Sequence, residues 1–178
     1  MLAYIAAGRR ARRHSRVIGR YAVLAGRIRQ DLRELEHGVT RVERAVQVGR
    51  RSAVDEDLLL DAAALNLHDN YTGLERILTH IASTVDQSVP SGADWHRELL
   101  QQMTVEIAGL RPQVLPIDVA ADVDEYLWFR HVVRHIYAFE LEPERVERLA
   151  SRLRPTFRDV ETALMGFASF LERLADDV

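Results

Sequence analysis

The chain has 178 residues, 47% of them hydrophobic and 29% charged, and it contains neither cysteine nor lysine. A single domain is the expectation for this length. The missing cysteine excludes disulfides, thiol catalysis and cysteine-ligated zinc, and the missing lysine excludes Schiff-base chemistry and a P-loop.

The charge is distributed unevenly along the chain. Residues 1–30 carry eight arginines and no acid, whereas 27 acids outnumber the other 16 arginines, so the rest of the chain carries −11. A nucleic-acid binder with a broad basic surface does not have such an acidic body. We expect residues 1–16 to be a basic, disordered N-terminal extension, with an RNA-binding arm or an over-extended reading frame as alternatives. Residues 17–178 then form the folded domain.

Targeting and membrane segments are not recognisable in the sequence. The apolar run at residues 2–7 is too short for a signal-peptide core, and the arginines follow it instead of preceding it. No run approaches the roughly 18 apolar residues of a membrane span. We therefore expect a cytoplasmic protein without a membrane partner.

Two long helices are predicted first, over residues 17–48 and 54–85. The first has apolar residues at alternating spacings of four and three, which is typical of one helical face. This seam consists of Ile28, Leu32, Leu35, Val39, Val42 and Val46. The second helix has an equivalent face, made of Leu60, Ala64, Leu67, Tyr71, Leu74, Leu78 and Ile81.

The second half of the chain predicts three further helices. A short one covers residues 95–104 with Asp94 as its N-cap. A longer one covers residues 118–137, and the last runs from Pro143 to about residue 175, with a kink at Pro155.

No segment alternates with the period of a strand, so the fold class is all-α. The predicted architecture is an up-down helical bundle of four long helices and a short one. Spare apolar residues on the first helix indicate a twofold homodimer that forms through the bundle.

One segment combines groups that could carry chemistry, and it ends at Tyr137. On a helix, Arg130, Arg134 and Tyr137 share one flank, while His131 and His135 share the other. The face between them is expected to be buried and holds Phe129, Val132, Val133 and Ile136.

The segment offers a fixed positive charge and a group that titrates near neutrality. These are the parts needed to hold a phosphodiester and to move a proton. Two structural alternatives stay open from the residues alone: the arginines pair with surface acids, or His131 and His135 form half of a metal site.

The pattern Arg130-x4-His135-x-Tyr137 resembles the motif of HepT-like toxins of the HEPN superfamily, with His131 as the polar residue that often follows the arginine. The resemblance covers about residues 20–175. It includes three further segments, residues 67–77, 94–100 and 137–143.

The resemblance implies a dimeric helical bundle and a metal-independent endoribonuclease without cofactors. It also implies the toxin of a type VII toxin–antitoxin system. The partner is a nucleotidyltransferase antitoxin that neutralises the toxin by AMPylation of the motif tyrosine, here Tyr137.

We therefore predict that Arg130 and His135 are catalytic in the cleavage of RNA. His131, Arg134 and Tyr137 are predicted to bind the substrate, and Tyr137 is also the modification site. Arg130 and His135 are about 140° apart around a helix. A composite site across a dimer, or a helix end near Ala138, would bring them together.

Two other functional hypotheses remain. The chain could be a non-catalytic substrate-binding or regulatory partner of a nucleotidyltransferase, which the acidic body favours, or a helical dimer without activity. Four residues of the HepT-like segments are explained by core packing or capping as well as by function, and they are not predicted to be catalytic: Tyr71, Glu75, Trp95 and His96.

Overall fold

The computed structural model describes residues 2–49, 56–135 and 142–176, and within these ranges the chain consists of helices and connecting loops and has no β-strand. The helices of the described ranges are α1 (Leu2–Gly49), α2 (Glu56–Ile81), α3 (Trp95–Met103), α4 (Ile117–His135) and α5 (Pro143–Asp176). None of the described helices is long and apolar enough to cross a membrane.

α1 and α2 pack antiparallel through the two predicted apolar faces. The seam of α1 is buried from Ile28 to Val42, and α2 is buried from Ala64 to Ile81 along its predicted face. The helices approach closely at Gly73, where a Cβ atom would lie 2.6 Å from Leu35 Cδ2. Both periodic faces are thus confirmed as core.

α5 lies on the other side of α1 and also runs antiparallel to it. Near the start of α5, Arg154 donates to the Glu43 carboxylate at 2.6 Å, and near its end Arg29 donates to Glu172 at 2.9 Å. The helix continues through Pro155. Its buried stripe from Val146 to Leu171 fills the core against α1.

α4 packs against α2 and α5. The Tyr126 hydroxyl donates to the Leu149 carbonyl oxygen at 3.1 Å, which fixes α4 against α5. α4 ends at His135, so the predicted helical residues 136–137 lie outside the described part of the chain. The predicted boundary at residue 17 stays a prediction, with α1 assigned from Leu2.

α2 does not continue as an α-helix to residue 85 but changes into a π-helical turn at Ala82–Asp86. The turn ends at Gln87, which is left-handed with φ of 53° and whose N–H donates to the Ala82 carbonyl. An i to i+5 bond of this kind widens the last turn. It leads the chain away from α1 and towards α3.

A buried arginine organises the connection between α3 and α4. Arg111 donates to both carboxylate oxygens of Asp86, at 2.5 and 2.8 Å, and its side chain is fully buried. The remaining donors reach the carbonyl oxygens of Gln102, Val105 and Pro112 at 2.8 to 3.1 Å. Every donor nitrogen of the guanidinium is used, which offsets the cost of burying the charge.

Replacing Arg111 with alanine is expected to lower the free energy of unfolding by about 3–5 kcal/mol, because the buried Asp86 carboxylate loses its counter-ion. Urea unfolding followed by circular dichroism measures the change. The control is Arg152→Ala, which removes an exposed arginine paired with Asp122 and Glu125 and should cost less than about 1 kcal/mol. Equal losses in the two variants would contradict this account.

Candidate functional site

Three charged or polar residues from three helices meet in the core. Glu75 lies on α2, His96 on α3 and Arg130 on α4, and all three are buried. Each of these helices packs against at least one of the other two, so each residue reaches the cluster from its own helix.

Direct contacts join the three side chains into one network. His96 Nδ1 lies 2.5 Å from Glu75 Oε2, and Arg130 Nη1 lies 3.1 Å from His96 Nε2. Arg130 Nη2 completes the triangle at 3.5 Å from Glu75 Oε1. Arg130 Nε is buried and has no hydrogen-bond partner among the described residues.

The contacts assign the proton on His96. Arg130 can only donate, so His96 Nε2 accepts, and the His96 proton is on Nδ1 and points to Glu75. The ring is therefore neutral in this arrangement. The carboxylate and the guanidinium balance each other, which allows the network to be buried without net charge.

Aromatic side chains surround the network. The Trp95 ring lies 3.7 Å from the His96 ring, centroid to centroid, and the His131 ring meets His96 edge-on at 5.5 Å. Burial raises the pKa of Tyr71 above its usual value, and the Glu75 carboxylate raises it further. Tyr71 thus keeps its proton and is a donor beside Glu75.

Arg130 was predicted on a flank beside the buried face of this segment, but it belongs to the buried face itself. Its side chain is only 9% exposed and faces the core. The reason is the register of α4, whose buried residues follow a spacing of four, three and four along Val119, Val123, Tyr126 and Arg130. Arg130 continues this stripe, and Glu75 supplies the opposite charge that makes its burial tolerable.

The predicted apolar face of this segment was right only in part. Phe129 is buried, but Val132 and Val133 are partly exposed and Ile136 lies outside the described residues. The core face of α4 is therefore rotated towards Arg130 compared with the face predicted from the valines.

Among the other predicted site residues, only His131 has a described side chain. His131 is exposed at the edge of the network. Arg134 and His135 are the last two residues of α4, and their side chains lie outside the described part. Tyr137 lies outside it altogether. The roles predicted for all five residues stay predictions.

Glu75 and His96 are the residues whose contact with Arg130 the sequence did not reveal. Glu75 is four residues after Tyr71 and lies on the buried, mainly apolar face of α2. A carboxylate on a buried helix face requires a buried cation close to it. This requirement is the signal in the sequence from which a contact between Glu75 and Arg130 could have been predicted. Among the described residues, no three His, Asp or Glu side chains are grouped as metal ligands.

A comparison with protein-family models identifies the family of this chain. The family model described as HepT-like protein matches residues 62–171, more than half of the chain. The chain belongs to the HepT-like family. The matched part of this HepT-like protein includes Glu75, His96, Arg130 and His135. No curated protein and no solved structure matches the chain.

Glu75→Gln is expected to destabilise the HepT-like fold by about 3–5 kcal/mol, because it leaves the buried Arg130 without a counter-ion. Denaturant unfolding measures this, with the exposed Glu98→Gln as a control that should change stability by less than about 0.5 kcal/mol.

A double-mutant cycle measures the interaction between Glu75 and Arg130 separately from the stability that each single substitution loses. Glu75→Gln combined with Arg130→Met should be more stable than the sum of the two single variants predicts. Simple additivity would show that the two side chains do not interact in the folded protein.

Proposed function

We propose that this protein is a metal-independent endoribonuclease, the toxin of a type VII toxin–antitoxin system, which cleaves RNA with Arg130 and His135. Membership of the HepT-like family supports a toxin-like function of the HEPN type, and such proteins are generally paired with a nucleotidyltransferase antitoxin. AMPylation of Tyr137 by that partner is proposed to neutralise the enzyme.

The observation that carries the proposal is the anchoring of Arg130 by Glu75 and His96. A side chain fixed at both terminal nitrogens keeps its position without reorganising during the reaction, which is the property that makes a charged group effective in stabilising a transition state. His135 follows five residues later at the end of the same helix.

The proposed reaction is a transesterification. The ribose 2′-hydroxyl attacks the adjacent phosphorus, its proton goes to a general base, and the 5′-oxygen of the next nucleotide leaves with a proton from a general acid. The products are a 2′,3′-cyclic phosphate and a 5′-hydroxyl. His135 is proposed to act as the base or the acid, because imidazole exchanges protons near neutral pH.

Arg130 is proposed to bind the scissile phosphate as negative charge builds on it. Its Nε donor, which is not used in the network, is suited to a phosphate oxygen. This nitrogen is buried, so a phosphate oxygen reaches it only when the side chains that cover it move, while Nη1 and Nη2 keep their contacts with His96 and Glu75. His131 and Arg134 are proposed to orient the RNA beside it.

A homodimer is part of the proposal. Positions 130 and 135 are about 140° apart around one straight helix, so a twofold pairing of α4 ends is a direct way for two copies to form a composite site. Each site would then take its arginine from one copy and its histidine from the other.

We predict that Arg130→Ala and His135→Ala each reduce RNA cleavage by the purified, unmodified protein by roughly 10²–10³-fold or more, through the loss of phosphate stabilisation or of proton transfer. Cleavage of a fluorogenic RNA measures the rate. Arg148→Ala, an exposed arginine on α5, is the control and should retain activity. Full activity in either site variant would contradict the nuclease proposal.

Mixing the two inactive variants tests the composite site. If each site combines two copies, a mixed dimer holds one complete site, and an equimolar mixture that exchanges subunits recovers about a quarter of the wild-type activity. No recovery, with exchange verified by native mass spectrometry, assigns both residues of a site to the same copy.

Co-expression with the proposed nucleotidyltransferase partner is expected to add one adenylyl group to Tyr137 and to abolish cleavage. The added phosphate brings negative charge and bulk next to the arginines of the motif. Intact mass and peptide mapping locate the adduct, with Tyr137→Phe as the control that should remain unmodified. An adduct on another residue refutes this part of the proposal.

The second candidate is a non-catalytic substrate-binding or regulatory partner of a nucleotidyltransferase. The burial and pairing of Arg130 favour it, because a residue engaged in this way also serves a purely structural purpose. The ribonuclease assay above distinguishes the two, since this candidate predicts no cleavage by the unmodified wild-type protein.

A further inference from the structure

A second group of basic side chains lies away from the motif, where α1 passes the end of α2. Arg20 and Arg27 of α1 and His80 and Thr84 near the end of α2 line an open cleft of about 380 Å³. Val23, which is 71% exposed, lies on the same wall. The cleft therefore combines two arginines, an imidazole, a hydroxyl and the apolar side chains of Val23 and Leu24.

The surroundings of this cleft leave its positive charge uncompensated. Residues 1–30 contain no acid, and residues 77–85 contain none either. Asp31, the nearest acid along α1, interacts with Arg76 at 3.3 Å. Among the described residues, no carboxylate forms an ion pair with Arg20 or Arg27. The cleft is thus a basic site on a body that is otherwise acidic.

The pKa of His80 reflects the charges that surround the cleft. Burial lowers the pKa of His80, and the positive charges of Arg27 and Arg76 lower it further, against the opposite effect of Asp31. Its Nδ1 has no hydrogen-bond partner among the described residues. An anion placed beside Arg27 would favour the protonated ring and raise this pKa.

The helical period places both arginines of the cleft on one face of α1. Arg20 and Arg27 are seven residues apart, so their positions lie on the same side of the helix, about 10.5 Å apart along its axis. Two cations at this separation match successive charges of a linear polyanion better than they match a single small anion.

We propose that the cleft binds the phosphate backbone of single-stranded RNA. This inference rests on the proposed function, because it gives the substrate of the motif a second point of attachment. Arginine binds phosphate oxygens through paired donors, and the exposed Val23 provides an apolar surface for a sugar or base. The cleft residue His80 is five residues, or about 7.5 Å along α2, from Glu75 of the buried network.

The test measures binding of the full chain to a fluorescent 2′-O-methyl oligoribonucleotide. The methyl group removes the attacking hydroxyl, so binding is measured without cleavage. The double variant Arg20→Gln/Arg27→Gln should bind roughly tenfold more weakly at low salt. The slope of log affinity against log salt should fall by about 1.4, the value for two lost phosphate contacts on a single strand.

The matched control removes the same charge from another face of the same helix, about 100–140° around the helix from the cleft arginines. Arg33→Gln/Arg44→Gln replaces two exposed arginines that have no ion pair with the described residues and should bind within about twofold of wild type. Equal weakening by both double variants means that only net charge matters, and it overturns the inference.

A second readout locates the bound strand. Adding the oligonucleotide should raise the pKa of His80, measured by NMR from its ring signals, and the cleft variant should lose this shift. Thermal unfolding verifies that each variant is folded. If anionic lipid vesicles bind the chain and the oligonucleotide does not, the assignment to RNA is wrong.

The outcomes separate this inference from the proposed function. Cleft-dependent binding by a chain that never cleaves RNA supports the cleft and refutes the nuclease. Cleavage whose kcat/KM is unchanged in the cleft variant supports the nuclease and refutes the cleft.

Discussion

A guanidinium in a helical core has to be neutralised there, and this requirement fixes how α2, α3 and α4 are arranged around Arg130. Dehydrating an ion costs several kcal/mol, which only a close partner with good geometry can offset. Glu75 provides the charge, and His96 connects the two by accepting from one and donating to the other. Apolar faces can slide by a fraction of a turn, whereas this triangle allows no such shift.

The sequence was sufficient for the helices and for the core of α1 and α2, because long heptad-like spacings of Leu, Ile and Val have a single interpretation. It failed at α4, where two faces competed. Val132 and Val133 suggested one face, but the core takes the stripe of Tyr126 and Arg130. Hydrophobicity alone does not predict a buried arginine, since its burial depends on a carboxylate that is distant in the chain.

The candidate site was also predictable from the sequence only in part. The motif resemblance selected Arg130, but the partners of Arg130 are separated from it by 34 residues for His96 and by a longer stretch for Glu75. Periodicity along one helix carries no information about such pairs. The N-terminal arginines are a contrasting example: composition revealed their excess, but only the continuous helix α1 arranges Arg20 and Arg27 into a surface opposite His80.

α3 has nine residues, fewer than an isolated helix needs to be stable in water. It is held at one end by His96 in the buried network and, beyond its other end, by Arg111 and Asp86. Its order is therefore supplied by its neighbours, and it acts as a mechanical link between two buried ion pairs. A change at Asp86 or Arg111 loosens α3 and so reaches Arg130 through His96, although neither residue touches the motif. Natural variation far from the motif can in this way alter the position of Arg130.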